Sequence, residues 1–290
     1  MLILNRRSLL TAATALAAGG GGERLVYAAE PKDPKYTAGS LPKIPAQKNP
    51  QARNITGKML YIGDEDNERG REWFSYSHRE DGQRTIRAYT EIDDGRVERD
   101  VIYTTTENFR PLDCFVRLTV AGKFLGTGWI RVTDTQAECE VFNATMGRVS
   151  QVVPLTEPVT HIGSHPLVID GLGCYQFDHT KPEKTQTRRG GMSTSPTLDG
   201  STGPFLSAPR PGGGGGVTEY VGMEKVKTPA GEFEAHHYRW PSNSRHPSGV
   251  LRSQDNWVRH PDYTFVRAEV RGYLNNKSGF GRYELVEYKE

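Results

Sequence analysis

Six side chains able to move protons, bind metal or attack as nucleophiles crowd between residues 161 and 179: His161, His165, Asp170, Cys174, Asp178 and His179. Imidazole near carboxylate suits general acid–base work, because a base whose pKa lies near the working pH both takes and returns a proton. The same donors suit zinc or another divalent ion. A metal set would take His161 and His165 with Asp170, His179 or His237. The i, i+4 spacing of His161 and His165 serves a metal only on a helix, and Gly163 and Pro166 oppose a helix there. No metal and no cofactor is therefore assigned. The acid–base candidates are His161, His165, Asp170, His179 and His237. His236 and His237 are adjacent on one strand and must face opposite ways. His237 shares a face with Phe233, Ala235 and Arg239, and His236 lies with Glu234, Tyr238 and Trp240.

A second set of candidates is aromatic. Trp73, Tyr76, Tyr89, Trp129, Phe205 and Trp257 would line a ligand site if their strands brought them to one concave face. Other chemistries lack their residues. There is no Cys-x-x-Cys for redox or zinc, and no Gly-x-Ser-x-Gly nucleophile elbow. The glycine run 212–216 lacks the Lys-Ser/Thr and the helix that a phosphate loop needs.

The elements that must position these groups read as strands. From about Met59 the apolar pattern has period two, and no segment shows a clear helical stripe. Turn signals punctuate it at Asp81-Gly82, Asp94-Gly95, Ala121-Gly122 and Pro229-Ala230-Gly231. The expectation is a mostly β protein with one large twisted antiparallel sheet of about nine to eleven strands, partly closed as an open barrel or carrier-like groove. Residues 168–175 fit a short helix or a strand equally well. Residues 181–216 are rich in Gly and Pro and poor in apolar side chains, so they cannot offset the entropy of ordering and are expected to form a mobile loop. Phe205-Leu206 is the adjacent apolar pair near its centre, suited to touching a ligand if the loop closes as a lid.

The N-terminal segment reads as an export signal. Arg6-Arg7 precedes a short apolar run, Leu9 to Ala18, with a cleavage site after Ala28. Residues 1–28 are thus expected to be a twin-arginine signal peptide, 29–55 a Pro- and Lys-rich linker, and 56–290 a single antiparallel β domain. The Tat translocase would be a partner during export, and the destination periplasmic or secreted. No second apolar stretch is long enough for a membrane anchor. Removing residues 1–28 leaves a formally neutral chain, which carries no basic footprint for nucleic acid. Three cysteines remain, Cys114, Cys139 and Cys174. An oxidising compartment permits a disulfide, and Cys114 and Cys139 lie on nearby strands.

The run from Glu219 to Ala235, EYVGMEKVKTPAGEFEA, followed by Asn256-Trp257-Val258 and the amphipathic strand Tyr263 to Val270, resembles the DUF3108-like families of exported bacterial proteins. The resemblance covers roughly residues 217–288, with weaker agreement over 59–153. It implies a long antiparallel sheet curled around an apolar groove, and it implies no reaction. The His-rich stretch 161–179 and the glycine loop depart from that pattern. Two functions stay open. One is a periplasmic binding or carrier protein that holds a small apolar or aromatic molecule in the groove. The other is a cofactor-independent enzyme of lyase, isomerase or hydratase type, using His/Asp acid–base chemistry there.

Overall fold

The computed structural model describes residues 53–144, 147–193, 216–274, 276 and 278–290. The expected signal peptide, nearly all of the linker, and Phe205 lie outside the described residues. The chain forms a mostly antiparallel β structure whose main sheet has 14 strands, more than the periodicity suggested.

The first half is an unbroken meander: β1 (Asn54–Ile62), β2 (Glu68–His78), β3 (Arg84–Ile92), β4 (Val97–Thr105), β5 (Pro111–Val120), β6 (Lys123–Val132), β7 (Gln136–Asn143) and β8 (Gly147–Pro154). The first strand begins inside the expected linker. The turns fall where the sequence signals them. At Ala121-Gly122 both residues have positive φ, 52° and 74°, the backbone that matches a tight two-residue hairpin to the twist of its strands.

Next come a short strand β9 (His161–Gly163), the helix α1 (Leu167–Leu172), a 3-10 turn (Gly173–Gln176), β10 (Thr185–Thr187) and β11 (Gly191–Ser193). The chain ends with β12 (Val217–Thr228), β13 (Gly231–Arg245), β14 (Leu251–Arg259), β15 (Thr264–Arg271) and β16 (Phe280–Lys289). The sheet order is β10-β12-β13-β14-β15-β16-β1-β2-β3-β4-β5-β6-β7-β8. Its edges, β10 and β8, are not paired to each other, so the sheet is not closed. β9 and β11 form a separate parallel pair. Part of the expected mobile loop is therefore structured: residues 185–187 extend the sheet beside β12, and 191–193 pair with the His-rich segment. Backbone pairing supplies what the sparse apolar side chains do not. Residues 194–215 of that loop lie outside the described residues.

The inner face of the sheet is packed by the segment from Val159 to Phe177. Val159, Ile162, Leu167, Val168, Ile169, Leu172, Cys174 and Phe177 join one core with Tyr76, Ile86, Tyr103, Ile130, Tyr238 and Phe265. Flat, the seven places separating β4 from β13 would span about 34 Å at 4.8 Å per strand. Yet the His161 ring lies 6.5 Å from Tyr103 on β4. A side chain added at Gly173 would meet Trp240 on β13 at 3.2 Å and His161 at 3.9 Å. The sheet is thus strongly curled, and its own chain occupies the hollow that the sequence reading assigned to ligand. Among the described residues no helix is long and apolar enough to cross a membrane.

Candidate functional site

The aromatic candidates do not converge. Trp73 and Tyr89 stack on each other at 5.8 Å on the outer face. Trp129 is also on the outer face, 41% exposed, because its neighbour Ile130 takes the inward position opposite Cys114. Trp257 stacks on His237 at 4.2 Å, again outside. Among the described candidates Tyr76 alone points inward, and it is completely covered. Period two fixes which residues alternate and leaves open which parity faces in. The buried inward partners are the less conspicuous Phe74, Ala88 and Ile130.

The acid–base candidates separate into three places. His161 sits inside the segment from Val159 to Phe177 that plugs the curled sheet, where burial, reinforced by Arg188, pushes its imidazole down to about 4. His165 takes positive φ, 77°, just before α1. Asp170 lies on α1, its carboxyl pushed up to about 7 by burial and by Glu72, against the pull of Arg188 and Arg99. His237 is on the outer face, with Nδ1 2.7 Å from Glu224 and Nε2 2.7 Å from Asp255. Burial opposes ionisation of Asp255, but His237 and Arg239 hold it below the usual carboxylate range. This arrangement packs the outer face and does not reach the inner one.

His179 has different company. It joins His236, from β13, and His260, from the turn between β14 and β15, at an accessible rim of the inner face. One ring nitrogen from each lies within 4.8 Å of the others. Tyr238 forms the floor: its hydroxyl is 2.7 Å from His179 Nε2 and 2.9 Å from His260 Nε2. One hydroxyl has a single proton to donate, so one of these imidazoles accepts it and the other donates its own N–H. Tyr220 Oη lies 3.0 Å from His236 Nδ1. The His236 and His260 rings stack with centroids 3.7 Å apart. Phe177, buried, backs the cluster at 5.9 Å from Tyr238 and 5.5 Å from Tyr220.

The local sequence explains the gathering. His236 and Tyr238 share the inward parity of β13, as the alternation required. His236 pairs with Val258, two residues before His260, so the β14–β15 turn starts beside it. Asp178, which precedes His179, accepts the Thr180 N–H at 3.0 Å and its hydroxyl at 2.6 Å, making a tight turn that presents His179 to the sheet. Burial, reinforced by the neighbouring imidazoles, pushes His260 down to about 4 and lowers His236; burial also lowers His179, against Asp178. The three rings are neutral at neutral pH and offer lone pairs. Burial raises the Tyr238 phenol, which keeps its proton. Beside this rim, a polar cleft of about 910 Å³ is lined by Thr160, Tyr175, Asp178, Lys181, Gln186 and Arg189.

Sequence reasoning found His179 and missed its partners. His236 and Tyr238 share a face in the sequence analysis without a role, and His260 is not singled out there. The available signal was the hairpin: the strand after His236-His237-Tyr238 runs antiparallel to it, and its far end carries His260.

No family model matches the chain, and no curated protein matches it. The DUF3108 resemblance therefore rests on the residues quoted for it. Among solved structures, a β-barrel-like protein of the domain of unknown function DUF1849 from Brucella abortus is 8% identical, with 81% of this chain and 97% of that chain covered and a TM-score of 0.44. A predicted lipoprotein from Parabacteroides distasonis is 11% identical, with 83% and 97% covered and a TM-score of 0.29. A predicted exported protein with a YmcC-like fold from Bacteroides fragilis is 11% identical, with 82% and 95% covered and a TM-score of 0.29.

Proposed function

We propose that the chain is an exported binding protein whose ligand site is the imidazole–phenol rim of the inner face, formed by His179, His236, His260, Tyr220 and Tyr238. One observation carries this reading: three imidazoles from distant parts of the chain converge on one accessible spot, while residues 159–177 pack into the core of the inner face. The ligand is placed at the rim and not in a hollow groove. A small aromatic molecule fits the surroundings, since Phe177, Tyr220 and Tyr238 wall the cluster. The enzyme alternative is less well supported. Tyr238 between two imidazoles suits proton transfer, but among the described residues no carboxylate hydrogen-bonds His179, His236 or His260, and a histidine base is ordinarily held by such a group.

Export by the twin-arginine route, with the Tat translocase as transient partner and a periplasmic or secreted destination, belongs to the same proposal and rests on residues 1–28. The DUF3108 resemblance of residues 217–288 agrees with a binding role and names no ligand.

The test is native mass spectrometry of the protein purified from the periplasm of an expressing cell, beside the His179→Ala/His260→Ala protein. The parent is expected to carry an extra bound mass that the double variant lacks. The same bound mass on both proteins, or none on either, would sink the reading.

A further inference from the structure

We propose that His179, His236 and His260 are the protein ligands of a single divalent transition-metal ion of the zinc and copper class. The inference deepens the binding reading and rests on it for the location of the site.

Ligand type comes first. The three donors are imidazole nitrogens. Asp178, the adjacent carboxylate, is turned to Thr180 and Lys181. An all-nitrogen set suits Zn²⁺ or Cu²⁺ and is a poor host for Ca²⁺ or Mg²⁺, which demand oxygen. Spacing comes next. Ligands about 2.1 Å from a tetrahedral zinc stand about 3.4 Å from one another. The three nitrogens here lie within 4.8 Å of one another; the His236 and His260 rings, stacked at 3.7 Å, must tilt out of their stack for both in-plane lone pairs to meet one ion. His179 is exposed and belongs to a surface turn, which leaves it free to turn toward the same point.

The surroundings are also those of a metal site. Ligating imidazoles are generally held by a hydrogen bond on the nitrogen that does not face the ion. Tyr220 provides this for His236: its hydroxyl engages Nδ1 at 3.0 Å and leaves Nε2 for the metal. The Tyr238 hydroxyl, 2.7 Å from His179 Nε2 and 2.9 Å from His260 Nε2, is the corresponding hydrogen-bond partner of the other two rings. The three protein ligands with one further position match the open type of zinc site.

The experiment uses the mature protein, stripped with chelator and titrated with Zn²⁺ by calorimetry, and with Co²⁺ by visible absorption. One equivalent is expected to bind, and Co²⁺ is expected to give d–d bands of tetrahedral intensity. His260→Ala should weaken binding at least 100-fold. His179→Ala should do the same, and because this side chain is exposed its loss leaves the fold intact. Tyr220→Phe should weaken binding about 10-fold, as removal of an orienting partner does. His246→Ala, at an exposed loop, should change nothing. Failure of the parent to bind Zn²⁺ and Co²⁺ would overturn the metal site, as would binding that survives both His179→Ala and His260→Ala. If the metal fails but a co-purified organic mass is still lost in the double variant, the rim remains a binding site for another ligand. If neither is seen, both readings fall.

Discussion

The side chain of Glu72, on β2, accepts the backbone N–H of Leu167 at 2.9 Å, 95 residues further along the chain. It also accepts Val168 N–H at 3.0 Å and the Tyr61 hydroxyl at 2.6 Å. Glu72 is completely buried. The first N–H groups of a helix have no partner within it, and α1 is too short to hold itself together. Glu72 therefore pins the plug to the sheet. It stands in an inward row with Thr90 and Arg99, paired across β2, β3 and β4.

Glu72→Ala is expected to cost about 3 kcal/mol or more, since it strands two buried amide donors and a buried phenol at about 1–3 kcal/mol each. Glu72→Gln keeps an acceptor and should cost about half as much. Urea denaturation of the three proteins measures this. Equal stability of Glu72→Ala and the parent would show that the plug is not anchored there.

Asp170 sets a pH dependence in the same region. Its folded pKa, about 7, is above its ordinary 3.8, because burial and Glu72 disfavour the carboxylate. The folded protein thus holds a proton that the unfolded chain releases. That stabilisation is complete below pH 3.8 and is lost as pH rises through about 7. Asp170→Asn removes the titration, so its thermal midpoint relative to the parent should rise between pH 5 and pH 8. The full effect of the shift is on the order of 4 kcal/mol. A difference that stays constant across that range would refute the assignment.

These two groups show where the sequence was legible and where it was not. The strands were, because period two and two-residue turns are local signals: Asp94-Gly95 and Pro229-Ala230 sit between β3 and β4 and between β12 and β13. The plug was not, because residues 161–177 owe their conformation to contacts such as Glu72–Leu167 that no window of sequence contains. The rim was half legible. His179 was singled out for its neighbours in sequence, of which Asp178 bonds Thr180 and Cys174 is buried in the core. Its partners in space lie 57 and 81 residues further on, at His236 and His260.

His237 tests the separation of the two faces. It is buried between Glu224 and Asp255 and stacked on Trp257. His237→Ala leaves the buried Asp255 with Arg239 alone, at 2.9 Å, and opens a gap beside the indole. A loss of about 2 kcal/mol in stability is expected, with metal affinity at the rim unchanged. A matching fall in metal affinity would mean that the outer face communicates with the inner one.

The cysteines give the last prediction, and it reverses the expected disulfide. Cys114 on β5 and Cys139 on β7 both pair with Ile130 on the strand between them. Two strand spacings, about 9.6 Å, separate their backbones, beyond the roughly 7 Å that a disulfide tolerates between Cα atoms. Cys174 lies in the plug, and the structure contains no disulfide among these three residues. All three are buried, and burial pushes the Cys114 and Cys174 thiols well above their ordinary range, so neither offers thiolate to a reagent or an oxidant at neutral pH. The native protein should therefore react slowly with a thiol reagent even under oxidising conditions. Denatured without reductant, it should show three thiols. A count of one would require β5 and β7 to approach each other with β6 displaced, and would overturn the strand order in this part of the sheet.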